Sequence, residues 1–112
     1  MRPIGGNKNL AFQIKTTTKN EIGESIPNWQ TIQTINGFLD LSSGDSKYSS
    51  FNAKIQESTH IFIANYVELD SRIKAEECQA IIDEKVYDIM LIDNPMELNY
   101  HWEIYLKYTG GQ

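Results

Sequence analysis

The sequence has one cysteine, Cys78, so it forms no internal disulfide and is not a disulfide-stapled secreted domain. It contains no apolar run near the ~20 residues that a membrane-spanning helix needs. Residues 1–7 lack an apolar core and do not read as a secretory signal. The expected setting is a reducing compartment, or an assembly that leaves one. Positive charge is also scarce: ten Lys and Arg stand against fifteen Asp and Glu, for a net charge of −5. An acidic chain is a poor candidate for gripping nucleic-acid phosphates. Hydrophobic residues make up 40% and charged residues 22%, which excludes an intrinsically disordered chain.

The familiar catalytic motifs are missing as well. There is no P-loop, no GxGxxG, no GxSxG, no HExxH and no calcium loop. His60 and His101 are far apart in sequence, and nothing in their spacing marks a metal pair. They read as histidines at the solvent edge of strands. Cys78 has no CxxC partner and reads as a small strand residue, a nucleophile only if a histidine sits beside it. Glu76-Glu77 and Asp83-Glu84 are sequence neighbours that a strand would point to opposite faces, so they read as solvated connectors. The expectation is a protein that is not an enzyme and uses no cofactor and no metal.

What is present is a chain of 112 residues, one domain's worth. Residues 1–8 and 109–112 read as loose tails around it. Charge is uneven along the chain. Residues 1–57 hold six basic against five acidic side chains, and residues 58–112 hold four against ten.

Period-two alternation dominates, the mark of half-buried strands. It runs through Leu10, Phe12 and Ile14, with Thr16-Thr17-Thr18 continuing the strand. Residues 19–28, with Asn20, Gly23 and Pro27, read as a loop. A second strand starts at Trp29. Asn36-Gly37 fits either a tight hairpin turn or a bulge in one long strand. Residues 41–57 are the longest polar stretch and read as a long loop, with a short helix between Phe51 and Ile55 at its far end. The third strand, 59–67, is apolar on both faces and reads as central. Residues 68–77 connect it to a strand at 78–82. Asp83-Glu84-Lys85 turns the chain into 86–92, and Asp93-Asn94-Pro95 turns it again. The last strand, 100–108, alternates most cleanly. Its Tyr100, Trp102 and Tyr108 fit a barrel core with a tyrosine rim better than a stacking platform for single strands, which needs a basic groove. Lys107 and Glu103 fit charges that protect an edge strand. The fold class is all-β: a small antiparallel barrel of about six strands with one long loop.

In this order the features resemble the head–tail joining proteins of long-tailed phages, also called head closure, head completion or stopper proteins. The resemblance spans roughly residues 9–108. It rests on Phe12-Gln13-Ile14, on Gly23 before Trp29, and on the long strand running from Trp29 into the polar loop. It rests further on Asp70-Ser71-Arg72-Ile73, on the hairpin Ala80-Ile81-Ile82 to Val86-Tyr87-Asp88-Ile89, and on Asp93-Asn94-Pro95-Met96-Glu97-Leu98 before the final strand. The chain departs from the family pattern at Gly37-Phe38 and lacks the usual glycine in the Asp83-Glu84-Lys85 turn. The family's long strand after the tryptophan favours the bulge at Asn36-Gly37.

The resemblance implies a virion subunit, assembled in the host cytoplasm, that forms a ring with copies of itself, usually twelve. The ring would lie between portal and adaptor proteins on the head side and a tail-completion or tail-terminator protein on the tail side. Packaged double-stranded DNA would pass through its channel, and no membrane is involved. The loop residues Ser42, Ser43, Gly44, Asp45, Ser46, Lys47, Tyr48, Ser49 and Ser50 are the expected channel gate. Arg72, Glu76, Glu77, Asp93 and Glu97 are the expected contacts with neighbouring subunits or partners. The alternatives are a tail-completion or other connector ring, and a barrel module that binds a small ligand or oligonucleotide.

Overall fold

The computed structural model describes residues 7–41 and 58–111. Six strands form one antiparallel sheet: β1 (Lys8–Lys19), β2 (Ser25–Leu41), β3 (His60–Asn65), β4 (Cys78–Ile82), β5 (Lys85–Asp93) and β6 (His101–Gly111). The sheet closes on itself in the order β1-β2-β3-β6-β5-β4. Closure pairs β4 with β1, Ala11 facing Ile81 and Ile14 facing Cys78. The short helix expected near residue 51 lies outside the described residues.

Alternation places every second side chain inside. Leu10, Phe12, Phe62, Ile82, Ile104 and Leu106 are completely buried, with Ile35, Ala80 and Ile89 beside them. Burying each of the larger ones stabilises the fold by about 1.5–3 kcal/mol. β6 is not an edge strand: it pairs with β3 on one side and β5 on the other. Closure leaves no edge there for Glu103 and Lys107 to protect. β6 also runs past Tyr108, since Val86 pairs with Gly111 and the Thr109 hydroxyl donates to the Val86 carbonyl at 3.0 Å.

β2 differs most from the sequence reading. It begins at Ser25, so the loop shrinks to residues 20–24. There the Asn20 side-chain oxygen accepts from the amides of Ile22 and Glu24 at 3.0 and 2.9 Å, and Gly23 takes a φ of +86°. Pro27 is tolerated within the strand because β3 pairs only with Phe38 to Leu41, leaving that side of β2 without a ladder partner. β2 is continuous through Asn36-Gly37, which excludes the hairpin turn. The bulge also lies elsewhere: Phe12 faces Gln33 while Gln13 faces Thr31, so Ile32 is the extra residue.

Gly37 has a different task. It marks where β2 passes from β1 to β3, Gly37 facing Lys8 and Phe38 facing Ile63. A Cβ there would lie 2.5 Å from the Ile63 carbonyl oxygen and 2.6 Å from the Phe62 ring.

The β4–β5 turn is tight. Asp83 and Glu84 both have positive φ, 51° and 66°, and Lys8 forms an ion pair with Asp83. Aspartate tolerates the left-handed region better than glutamate. Glu84→Gly is therefore expected to stabilise the chain by about 0.5–1 kcal/mol. Thermal unfolding checks this, with the midpoint rising by a few degrees.

The barrel has two distinct ends. One gathers residue 7, the anchors Leu41 and Ser58 of the 42–57 segment, and the 83–84 turn. The other carries the 20–24 turn, the 66–77 connector and the 3₁₀ turn Pro95–Glu97. At this second end β1 and β2 outrun their neighbours. From Lys15 and Trp29 outward they form a two-stranded arm that extends ~15 Å beyond the last β1–β4 pair.

Candidate functional site

The expected gate residues 42–50 lie outside the described residues. The five expected contact residues share one region of the barrel, the end that bears the arm. Arg72, Glu76 and Glu77 lie on the connector, Asp93 ends β5 and Glu97 sits in the 3₁₀ turn. They are not equivalent. Arg72 donates through Nε and Nη2 to both Asp70 carboxylate oxygens, each at 2.9 Å. Those hydrogen bonds lower the Asp70 carboxyl to about 2. Arg72 is thereby turned toward its own connector. Gln33 anchors the same segment: its side-chain amide donates to the Glu68 carbonyl at 3.0 Å and its side-chain oxygen accepts from the Asp70 amide at 2.7 Å. Glu76, Glu77 and Glu97 are exposed, and Glu97 sits among the exposed apolar side chains Met96, Leu98 and Tyr100.

Between the arm and the connector lies a cleft of about 830 Å³. Lys15, Trp29, Arg72, Lys74, Glu76, Glu77 and Asp88 line it, so it carries both signs of charge. Cys78 is buried in its floor, its Sγ donating to the Arg72 carbonyl at 3.6 Å. Burial pushes that thiol up, away from the nucleophilic thiolate. Neither histidine approaches it. His60 packs edge-on against Tyr87, with ring centroids 5.2 Å apart, and burial pushes its pKa down. His101 pairs with Glu103 at the other end of β6. Trp102 stacks on Tyr66 and donates from Nε1 to the Val67 carbonyl at 2.8 Å. It therefore serves the wall and offers no free face for a base. Tyr100 and Tyr108 stay exposed at the two ends of β6, as a rim.

The outer wall emerges only from the strand register. Two rows cross β2, β3, β6 and β5 on the outside. One runs Phe38, Ile63, Glu103, Asp93; the other runs Asp40, Ile61, Tyr105, Leu91. Those eight positions hold five apolar and three acidic side chains and no cation. Phe38 is 42% exposed. Asp93 faces Glu103 directly, a like-charge pair of the kind that destabilises a sheet. Burial, and then the Glu103 charge, push the Asp93 carboxyl up. Burial and the Glu103 carboxylate, whose Oε1 accepts from the Tyr105 hydroxyl at 3.1 Å, push that phenol up to about 12.

A group whose pKa is raised on folding stabilises below its unfolded value and loses that contribution as pH rises through the folded value. Asp93 therefore works against the free chain at neutral pH. Asp93→Asn should stabilise it by about 0.5 kcal/mol at pH 7, with the gain vanishing near pH 3. Urea unfolding at the two pH values checks this.

The described residues thus form a closed six-stranded barrel with an apolar and acidic outer wall and an arm at one end. The family model of the phage head completion protein matches residues 1–107. The chain belongs to that family and is a structural component of the phage virion. No curated protein matches it significantly. Among solved structures, a chain of the virion of a native gene transfer agent particle has the same fold, with a TM-score of 0.56 at 14% identity over 94% of each chain.

Proposed function

We propose that the protein closes the filled phage head as one of a ring of subunits, twelve in number, between the portal–adaptor assembly and the tail. The observation that carries this reading is the outer wall. An apolar and acidic surface with no covering element among the described residues suits a subunit that packs against copies of itself. The two-ended barrel supports it too, because a ring between head and tail needs a different surface on each side. The 42–57 segment leaves the barrel at the end opposite the arm, between Leu41 and Ser58, and is the part we assign to the channel. The acidic chain fits a channel that lets the duplex slide rather than gripping it.

The test is electron microscopy of particles from a phage lacking this gene. Head closure predicts free tails beside heads that have packaged DNA and lost it. Sealed, full heads without tails would move the role to tail docking. Normal virions would overturn the reading.

A further inference from the structure

We propose that the arm of one subunit docks on the acidic outer wall of the next, Lys15 and Lys19 meeting Asp93 and Glu103 around Trp29. This rests on the ring reading and names the contact that would build it. Three observations lead to it.

The first is chemical. On the arm's outward face Lys15 stands opposite Trp29, Thr17 opposite Pro27 and Lys19 opposite Ser25, so the face is basic and part apolar with no acid on its strands. Trp29 on this face is 41% exposed. The wall presents the complement, apolar Phe38 and Ile63 in one row with Glu103 and Asp93.

The second is energetic. The opposed carboxylates of Asp93 and Glu103 are unfavourable in the free chain, and His101, already held by Glu103 at 3.0 Å, is the nearest basic group in that row's strand. A lysine from outside relieves the repulsion and becomes a partly desolvated, paired charge.

The third is geometric. In the order β1-β2-β3-β6-β5-β4, β6 lies three strands from β1 whichever way the barrel is followed. The acidic end of the wall, Asp93 on β5 and Glu103 on β6, therefore lies across the barrel from the β1–β2 arm, while its apolar end reaches round to β2. Asp93, Glu103 and the arm also lie toward the same end. A head-to-tail ring needs two different, complementary faces placed in that way.

Two experiments test the contact. In the first, particles carry the full chain with Lys15→Cys and Glu103→Cys and are oxidised. Cys78 is buried, so it stays silent. The expected result is a ladder of chain multimers, with each single variant giving none. In the second, phage lacking the gene is complemented with charge reversals. Lys15→Glu with Lys19→Glu, and Asp93→Lys with Glu103→Lys, should each cut infectious titre about 100-fold. All four substitutions together should restore it to within about 10-fold. Thermal unfolding of the purified chains confirms that each variant folds. No ladder and no rescue would overturn the contact while leaving head closure standing. A ladder from a phage whose titre does not need the gene would keep the contact and remove the head-closure reading. Rescue of the arm variant only by changes in another virion protein would assign the arm to that partner and overturn the proposal.

Discussion

Gly37→Ala is expected to cost the barrel more than about 3 kcal/mol. The new Cβ would sit 2.5 Å from the Ile63 carbonyl oxygen and 2.6 Å from the Phe62 ring. The ring is completely buried and has no free volume to retreat into. The carbonyl belongs to β3 at the point where β2 changes partner, so moving it breaks the β2–β3 ladder that closes the barrel. Against a typical total stability of ~5–15 kcal/mol, such a loss leaves a marginal protein. Thermal unfolding should show a midpoint at least ~12 °C lower, or no soluble chain. A variant within about 0.5 kcal/mol of the parent would contradict the close approach.

Phe12→Ala should be nearly as damaging, for the opposite reason. Phe12 is completely buried on β1, opposite Ala80 on β4 and next to the Ile32 bulge on β2. Its removal leaves a cavity beside a residue already as small as alanine, and a closed barrel collapses poorly into such a space. A loss of about 3–5 kcal/mol is expected. A phage carrying the variant should form plaques at low temperature and fail at high temperature, in step with the midpoint of the purified chain. The arm charge reversal should act the other way, cutting titre while leaving that midpoint nearly unchanged. A cost below about 1 kcal/mol for Phe12→Ala would show that the site relaxes and that the core is less tightly packed than described.

The strands with clean alternation and short turns were legible in the sequence, because local pattern and final pairing agree there. β4 was read with its observed limits, and β5 and the start of β6 to within a residue. Where the reading failed, a distant partner had overridden a local signal. Pro27 and Asn28 look like loop residues, yet pairing with Thr17 and Thr16 holds them in β2. Gly37 looks like a bulge glycine, but the space it leaves is taken by Phe62 and Ile63, which come later in the chain.

The apolar second face of β3 is the most informative signal in the sequence. Apolar residues on both faces point to a central strand, and β3 does lie between β2 and β6. In a closed barrel the second side is the outside, so apolar residues there mark a wall that another molecule can cover. In the sequence Asp93 stands out by its turn, whereas Glu103 has only the pattern of an edge charge. Nothing short of the β5–β6 register shows that the two carboxylates face each other.

The most direct measurement is an electron cryo-microscopy map of the head–tail vertex in particles that carry this protein. The account predicts a closed ring of these barrels on the channel axis, between portal and tail, with each arm lying across the outer wall of its neighbour. Barrels that are absent from the vertex, or that sit there singly with the wall turned to solvent, would contradict it.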